Sequence, residues 1–366
     1  MANIKVIIAG GGTGGHIFPA VAIAHAVQQL QPGTEVLFVG AKGKMEMEKV
    51  PQEGFRIIGL DIAGFNRSNL LKNLTLPFKL LKSAMQARSV IREFNPDVVV
   101  GVGGFASFPV LNAAQGKGIP TLIQEQNSFA GKANKVLGKK AKAICVAYDD
   151  MDRFFPKPSI VLTGNPVRQI ISKANITRAE GQVWLGMNEQ KRTVLVVGGS
   201  LGAKSINEAV DAGLEQLLEE DVQIIWQTGK PYHEQALKRA KAFEGKVKVF
   251  DFIRQMEYAY AAADMVISRA GALAIAELCI VAKPVIFVPY PYAAEDHQTS
   301  NAMALVNKNA AQIVKDNEAG TTLIHKLKAL LKDNTAQELM SRNLKKIAIR
   351  DADIRIAQRV IQIAGK

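Results

Sequence analysis

A glycine-rich turn between an apolar run and an amphipathic stretch occurs twice in this chain, about half its length apart. The first copy is IKVIIAGGGTGGHIFPAVAIAHAV, Ile4 to Val27, and the second is RTVLVVGGSLGAKSINEAV, Arg192 to Val210. Each reads as a buried strand, a tight turn and a helix. One such turn is weak evidence for phosphate binding. Two of them constrain the chain to a pair of similar α/β domains facing each other across a cleft. The length of 366 residues suits two domains. Hydrophobic residues make up 48% and charged residues 22%, so each domain can bury a core of its own.

Strands are predicted at Lys5–Ala9, Glu35–Val39, Val98–Val102, Thr121–Gln124, Ala143–Val146, Val194–Val197, Gln223–Gln227, Val247–Phe250, Met265–Ser268 and Val285–Val288. Most are unbroken apolar runs, the pattern of strands covered on both faces. Helical patterns between them predict parallel sheets with right-handed crossovers, two Rossmann-like domains in all. The proline-rich FFPKPSIVLTGNPVR predicts a boundary near Thr163–Arg168. The domains expected are 1–165, joined by a C-terminal helix at 351–366, and 166–350. That helix carries Ile354, Ala357, Ile361 and Ala364 at helical spacing.

Cys145 and Cys279 lie in apolar stretches and read as buried structural thiols, in keeping with a reducing compartment. No secretory pattern is read, and no apolar run approaches the roughly 20 residues of a bilayer span. A cytoplasmic location is expected. Net charge is +13, with +8 in residues 1–160 and +5 beyond. Only 6% of residues are aromatic and none interleave with basic residues, which argues against a nucleic-acid partner. An anionic membrane surface or a phosphorylated substrate fits the charge better.

Residues Gly10–His16 join the first strand to a helix expected to begin near Ile17–Pro19. Glycine permits close approach of a ligand, and a helix N-terminus attracts an anion. A nicotinamide cofactor is disfavoured, because the second strand ends in Gly40 where a ribose-binding acid is wanted. His16, at the mouth of the turn, is the candidate general base, since an imidazole accepts a proton near neutral pH. Asn127 and Glu125, in LIQEQN, are alternatives for orienting a nucleophile. The loop GVGGFASFP follows another strand and brings Gly103 and Gly104 to the same sheet edge.

In the second half Gly198-Gly199-Ser200 again opens a helix, and Ser200 offers a hydroxyl to a phosphate. Ala272–Leu273 is a second helix start. Glu277 lies one and a half turns further on, either within reach of a sugar hydroxyl or buried in an ion pair. AAEDHQTSNA places Glu295, Asp296, His297 and Gln298 at a further helix start. The acidic run Asp149–Asp152 reads as a surface turn, and no metal is expected in the chemical step.

The segment Asn66–Glu93 repeats Leu70, Leu74, Phe78, Leu81 and Met85 at helical spacing, flanked by Arg67, Lys72, Lys79, Lys82 and Arg88. Pro77 divides it, with Thr75 as the cap of the helix that follows. It reads either as an interfacial basic amphipathic helix or as an ordinary core-facing one. Gly131–Ala143 adds five lysines and no acid.

GGGTGGHIFPA, GVGGFAS, EQN, GNPVR, GGSLGA, SRAGALAIAEL and EDHQTSNA, in that order over nearly the whole chain, resemble the MurG family of bacterial N-acetylglucosaminyltransferases. The resemblance implies a GT-B fold whose last helix crosses back to the first domain. It also implies inverting transfer of GlcNAc from UDP-GlcNAc to the 4-hydroxyl of MurNAc in lipid I, giving lipid II for peptidoglycan. The N-terminal domain would take the lipid acceptor and the C-terminal domain the nucleotide sugar. Thr13, Gly14, Gly15 and Asn127 would line the sugar side of the donor. Ser200 would meet the diphosphate and Ile253 the uracil. Ala272, Leu273, Ala274, Ile275 and Ala276 would form the helix start ahead of Glu277, which would hold the ribose. Gln298, or His297 in an alternative alignment, would read the GlcNAc hydroxyls. Arg168 would lie near the nucleotide, and Gly103 and Gly104 would receive the acceptor diphosphate. No cofactor is implied. The implied partners are the anionic cytoplasmic face of the inner membrane and proteins of cell-wall synthesis and division. A sugar-nucleotide epimerase, a glycerolipid glycosyltransferase and a non-catalytic nucleotide-sugar scaffold are the competing readings.

Overall fold

The computed structural model describes residues 3–62 and 76–365. The chain forms two compact units, Met1–Val167 with Asp351–Lys366, and Arg168–Arg350.

The first unit contains β1 (Lys5–Ala9), β2 (Glu35–Ala41), β3 (Arg56–Leu60), β4 (Val98–Gly101), β5 (Thr121–Glu125), β6 (Ala143–Val146) and β7 (Ile160–Leu162). They lie in the order β3-β2-β1-β4-β5-β6-β7, and every pairing is parallel. Successive residues of β1 serve opposite faces. Val6 and Ile8 join one core with Ile17, Ala20 and Val27, while Ile7 and Ala9 join another with Val90, Ile91 and Leu111. Burial on both faces is why the strand is apolar throughout. The helices used below are α1 (Gly14–Leu30), α2 (Glu46–Gln52), α3 (Leu76–Phe94), α4 (Ser107–Gly116) and α5 (Lys132–Gly138).

The second unit contains β8 (Arg192–Val197), β9 (Val222–Gln227), β10 (Val247–Phe250), β11 (Met265–Ser268), β12 (Val285–Phe287) and β13 (Gln312–Ile313). Their order is β10-β9-β8-β11-β12-β13, again all parallel. Both sheets reverse direction of winding beside their first strand. The reversal opens a crevice at the carboxyl ends of β1 and β4 in one unit and of β8 and β11 in the other.

Three strands, β3, β7 and β13, were absent from the sequence reading, and each closes one edge of a sheet. They are short or partly exposed, and none has an apolar run of four residues. The C-terminal helix, Ala352–Ala364, packs on α1. Its fully buried residues are Ile356, Ala357 and Val360. Ile354, Ile361 and Ala364 only flank that core, so the buried stripe is rotated from the one expected. Burying an isoleucine or valine in this way stabilises by about 1.5–3 kcal/mol.

Candidate active site

In the first unit three loops meet at the switch point, following β1, β4 and β5. The helix after β1 starts at Gly14, three residues earlier than expected, with Thr13 as an extended N-cap residue. Pro19 lacks the N–H that would bond the Gly15 carbonyl, and the first turn is held by the Thr13 carbonyl accepting from His16 and Ile17. His16 therefore sits inside the first helical turn rather than before it. Its Nδ1 lies 3.1 Å from the Gly11 carbonyl and 3.3 Å from Thr13 Oγ1.

The glycines of this turn serve packing as much as any ligand. Gly11 N–H donates to the Gly103 carbonyl, and Gly10 N–H to that of Val39. A Cβ on Gly104 would lie 2.3 Å from the Gly11 carbonyl oxygen, so the loops after β1 and β4 interlock. Gly12 N–H donates to Glu46 Oε2 at 2.8 Å, and Ala41 N–H to Glu46 Oε1 at 3.0 Å. The acid missing from the end of β2 thus arrives five residues later, buried behind the turn. The sequence reading passed over Glu46. Its signal was a glutamate just beyond a strand ending in Gly40, with a second glycine, Gly11, opposite.

The loop after β5 is organised by Glu125, buried among amide donors. Its oxygens accept from the N–H of Asn127 and Gly131 and from the side-chain amides of Asn127 and Asn134. Glu125 holds Asn127 in place and is not a free orienting group for a nucleophile. Asn165, in the GNPVR stretch, ties into the same loop through Gln124 and the Gln126 carbonyl.

On α3 the residues Phe78, Leu81 and Met85 are 76%, 64% and 62% exposed. The core face of that helix is instead Ala87, Val90, Ile91 and Phe94. Leu70, Lys72, Leu74 and Thr75 lie outside the described residues. Lys82 is paired with Asp61 at 2.9 Å, and Lys42 with the same carboxylate at 3.0 Å. The two lysines hold the Asp61 carboxyl well below the usual carboxylate range. Beside α3, a groove of about 760 Å³ against α4 is lined by Arg88, Arg92, Lys117 and Lys140.

In the second unit the turn after β8 differs from its counterpart. Its helix begins at Lys204, not at Ser200. Gly199–Gly202 form a separate turn with Gly202 N–H donating to the Gly199 carbonyl, and Ser200 is exposed within it. Both glycines have positive φ, which delays the helix. The helix after β11 starts at Ala272 with Gly271 as N-cap residue. Ala272, Leu273, Ala274, Ile275 and Ala276 form its first turn and a half.

Glu277 is buried beyond them, paired with Arg168 at 3.0 Å and accepting from Tyr260 Oη at 3.1 Å. Burial pushes its pKa up, against the opposing pull of Arg168 and then Tyr260. Ile253 is buried beside exposed Phe252. The helix carrying Gln298 begins at His297, preceded by Glu295 and Asp296, both at positive φ. Gln298 Oε1 accepts from Tyr290 N–H at 2.9 Å, whereas His297 Nδ1 is 2.7 Å from the carbonyl of Ala294.

Arg269, quoted in the SRAGA stretch but given no role, braces that loop. It donates to the carbonyls of Val288 and Pro289 and pairs with Asp316, which also accepts from Ser205. Cys145 and Cys279 are buried free thiols, their pKa values pushed up by burial to about 12.

The N-terminal domain of glycosyltransferase family 28 matches residues 6–146, and the C-terminal domain of that family matches residues 193–356. The chain is 52% identical over its full length to the UDP-N-acetylglucosamine--N-acetylmuramyl-(pentapeptide) pyrophosphoryl-undecaprenol N-acetylglucosamine transferase of Phocaeicola vulgatus, covering 97% of that protein. It is 49% identical to the Parabacteroides distasonis enzyme of the same name, covering 100% of both chains. The crystal structure of Acinetobacter baumannii MurG superposes with a TM-score of 0.80 at 31% identity, over 98% of this chain and 99% of that one. The chain belongs to the MurG family. Its two Rossmann-like parallel-sheet units are those of the GT-B glycosyltransferases. Among the described residues, no helix is long and apolar enough to cross a membrane.

Proposed function

We propose that this chain transfers GlcNAc from UDP-GlcNAc to the MurNAc 4-hydroxyl of lipid I, releasing UDP and forming lipid II for peptidoglycan. The observation that carries this is identity of about half of all residues, end to end, with transferases so named. The second unit takes the nucleotide. Ser200 and the first turn at Ala272–Ala276 meet the phosphates, where N–H groups and the helix dipole stabilise charge developing on UDP. Glu277 holds the ribose, Ile253 the uracil, Arg168 lies near the nucleotide, and Gln298 reads the sugar. In the first unit Gly103 and Gly104 receive the acceptor diphosphate, and Thr13, Gly14, Gly15 and Asn127 contact the sugar being moved. His16 takes the proton of the acceptor hydroxyl as it attacks the anomeric carbon opposite to UDP, inverting it.

UDP release from UDP-GlcNAc is the test, measured with and without a short-chain lipid I analogue. Acceptor-dependent release with a disaccharide product is expected. Conversion of UDP-GlcNAc to an isomer, or binding with no turnover, overturns the reading.

The enzyme works at the cytoplasmic face of the inner membrane as a peripheral protein, beside proteins of wall synthesis and division. Exposed Phe78, Leu81 and Met85, with Lys79 and the basic groove between α3 and α4, support that reading. Each apolar side chain fully buried in lipid contributes about 1.5–3 kcal/mol. Replacing all three by serine therefore lowers binding to anionic vesicles by at least about tenfold, while UDP affinity is unchanged. Equal vesicle binding by both proteins refutes this surface.

A further inference from the structure

Glu46 has no part in the reaction described above, yet the first glycine turn is built around it. Its side chain is 2% exposed. Two glycines make its channel: a Cβ on Gly11 would lie 2.3 Å from Glu46 Cδ, and one on Gly40 would lie 2.5 Å from Glu46 Cγ. Burying a carboxylate is costly unless donors meet it, and here Gly12 N–H and Ala41 N–H do so.

The Gly12 N–H and the Gly11 carbonyl belong to one planar peptide. Glu46 holds that peptide at its N–H end, and His16 Nδ1 lies 3.1 Å from its carbonyl end. Glycine on both sides widens the rotations open to the peptide, with Gly11 and Gly12 both at positive φ, and Glu46 is the group that bonds its N–H. A carbonyl oxygen only accepts, whereas the Thr13 hydroxyl 3.3 Å away can donate or accept. The Gly11 contact is a hydrogen bond when Nδ1 carries the ring proton, which leaves the lone pair of the neutral imidazole on Nε2.

We infer that Glu46 is a positioning residue for His16: it fixes the Gly11–Gly12 peptide and, through the Gly11 carbonyl, the orientation and tautomer of the imidazole. The arrangement does across one peptide what a carboxylate bonded directly to histidine does elsewhere. Its effect on turnover rests on the reading of His16 as base, while its effect on the ring does not.

Glu46→Gln in the full chain puts an amide NH₂ against one of the two N–H groups it must accept. Turnover falls by about tenfold or more, with KM for UDP-GlcNAc within about twofold of wild type. The ¹⁵N spectrum of histidine-labelled protein at pH 8 shows His16 protonated on Nδ1 in wild type and as a tautomer mixture in Glu46→Gln. The His16 signal is assigned by its loss in His16→Ala. Three results each overturn the inference: wild-type His16 protonated on Nε2, a variant that loses turnover with its ring spectrum unchanged, or a variant altered in neither. If Glu46→Gln fails to fold, the wild-type spectrum and that of Glu46→Asp, whose carboxylate is one methylene too short to meet both N–H groups, decide. If His16→Ala keeps its turnover, the base reading falls, and the ring spectrum of Glu46→Gln still decides the role of Glu46.

Discussion

The two glycine turns begin alike in sequence and are completed by opposite chemistry. Behind the first, Glu46 accepts from the turn's Gly12 N–H and from Ala41 N–H at the end of β2. Behind the second, Gln227 donates its amide to the carbonyls of Gly199 and Asp251. Among the described residues, no carboxylate accepts from the N–H groups of Gly198–Gly202. A buried negative charge behind the first turn repels an anion, and the N–H groups of Gly10, Gly11 and Gly12 are already used. The second has no such charge behind it and carries an exposed Ser200. The difference suits the first turn to an uncharged hydroxyl and a histidine, and the second to a phosphate. Under the proposed function, the shared motif lies at both ligand sites, and the side chain behind it bears on which charge each ligand carries.

The largest effect expected is that of His16→Ala. Loss of a general base costs about 10²–10⁴ in kcat, and calorimetric affinity for UDP-GlcNAc is unchanged. Ser200→Ala gives the reverse pattern. A hydrogen bond to a charged group contributes about 1.5–3 kcal/mol, so affinity for UDP falls by ten- to a hundredfold while the pH profile of kcat is retained. Should Ser200→Ala alter kcat alone, or His16→Ala weaken UDP binding, the division of labour between the turns is wrong.

Much of this was readable before any coordinates. Strands such as β1, β6 and β11 were placed to the residue, because burial on both faces leaves an unmistakable apolar run. The edge strands β3, β7 and β13 were not, since one side of each meets no neighbour and their composition relaxes. Loops at the carboxyl ends of the strands were placed from glycine and polar clusters. What stayed hidden was which group each polar side chain serves. Glu125 reads like a group that orients a nucleophile until four amide donors are found around it. Glu46 reads like a surface glutamate in KMEMEK, because its partners are backbone N–H groups that carry no sequence signal. Arg269 was invisible for a similar reason: two of its acceptors are the carbonyls of Val288 and Pro289.

A paired substitution sharpens the contrast between the turns. In Gly11→Ala the new methyl meets the Glu46 carboxylate at 2.3 Å, and φ there is +136°. Overpacking of about 1–3 kcal/mol adds to a backbone cost of about 1 kcal/mol. In Gly199→Ala nothing lies within 4 Å of the methyl, and only the backbone cost at φ +85° remains. Hydrogen exchange of β1 and β8 reports each unit separately. Protection of β1 falls markedly in the first variant, and that of β8 only slightly in the second. Equal losses mean that Glu46 moves aside freely, and the first turn is then no stiffer than the second.

The smallest effect concerns how the two units hold a buried carboxylate. Glu46 is met by neutral N–H groups, Glu277 by a guanidinium. Burial raises the pKa of Glu277, and Arg168 is the largest influence pulling it back. A carboxyl whose pKa is raised on folding favours the folded state most when protonated. That contribution is complete below the ordinary carboxylic range and is lost as pH rises through the raised value. Arg168→Ala removes the opposing cation, so the raised value climbs further and the loss deepens. Because the Arg168 side chain is 38% exposed, solvent screens the pair, and the variant is destabilised by only about 1 kcal/mol at neutral pH. The deficit shrinks as pH falls through the raised value and Glu277 takes up its proton, and Tyr260→Phe shows the same trend more weakly. Denaturation midpoints of wild type and variant, compared between pH 5 and 8, read this directly. A deficit constant with pH would mean that Arg168 supports the fold through packing alone, and the contrast with the charge-free setting of Glu46 would carry no electrostatic content.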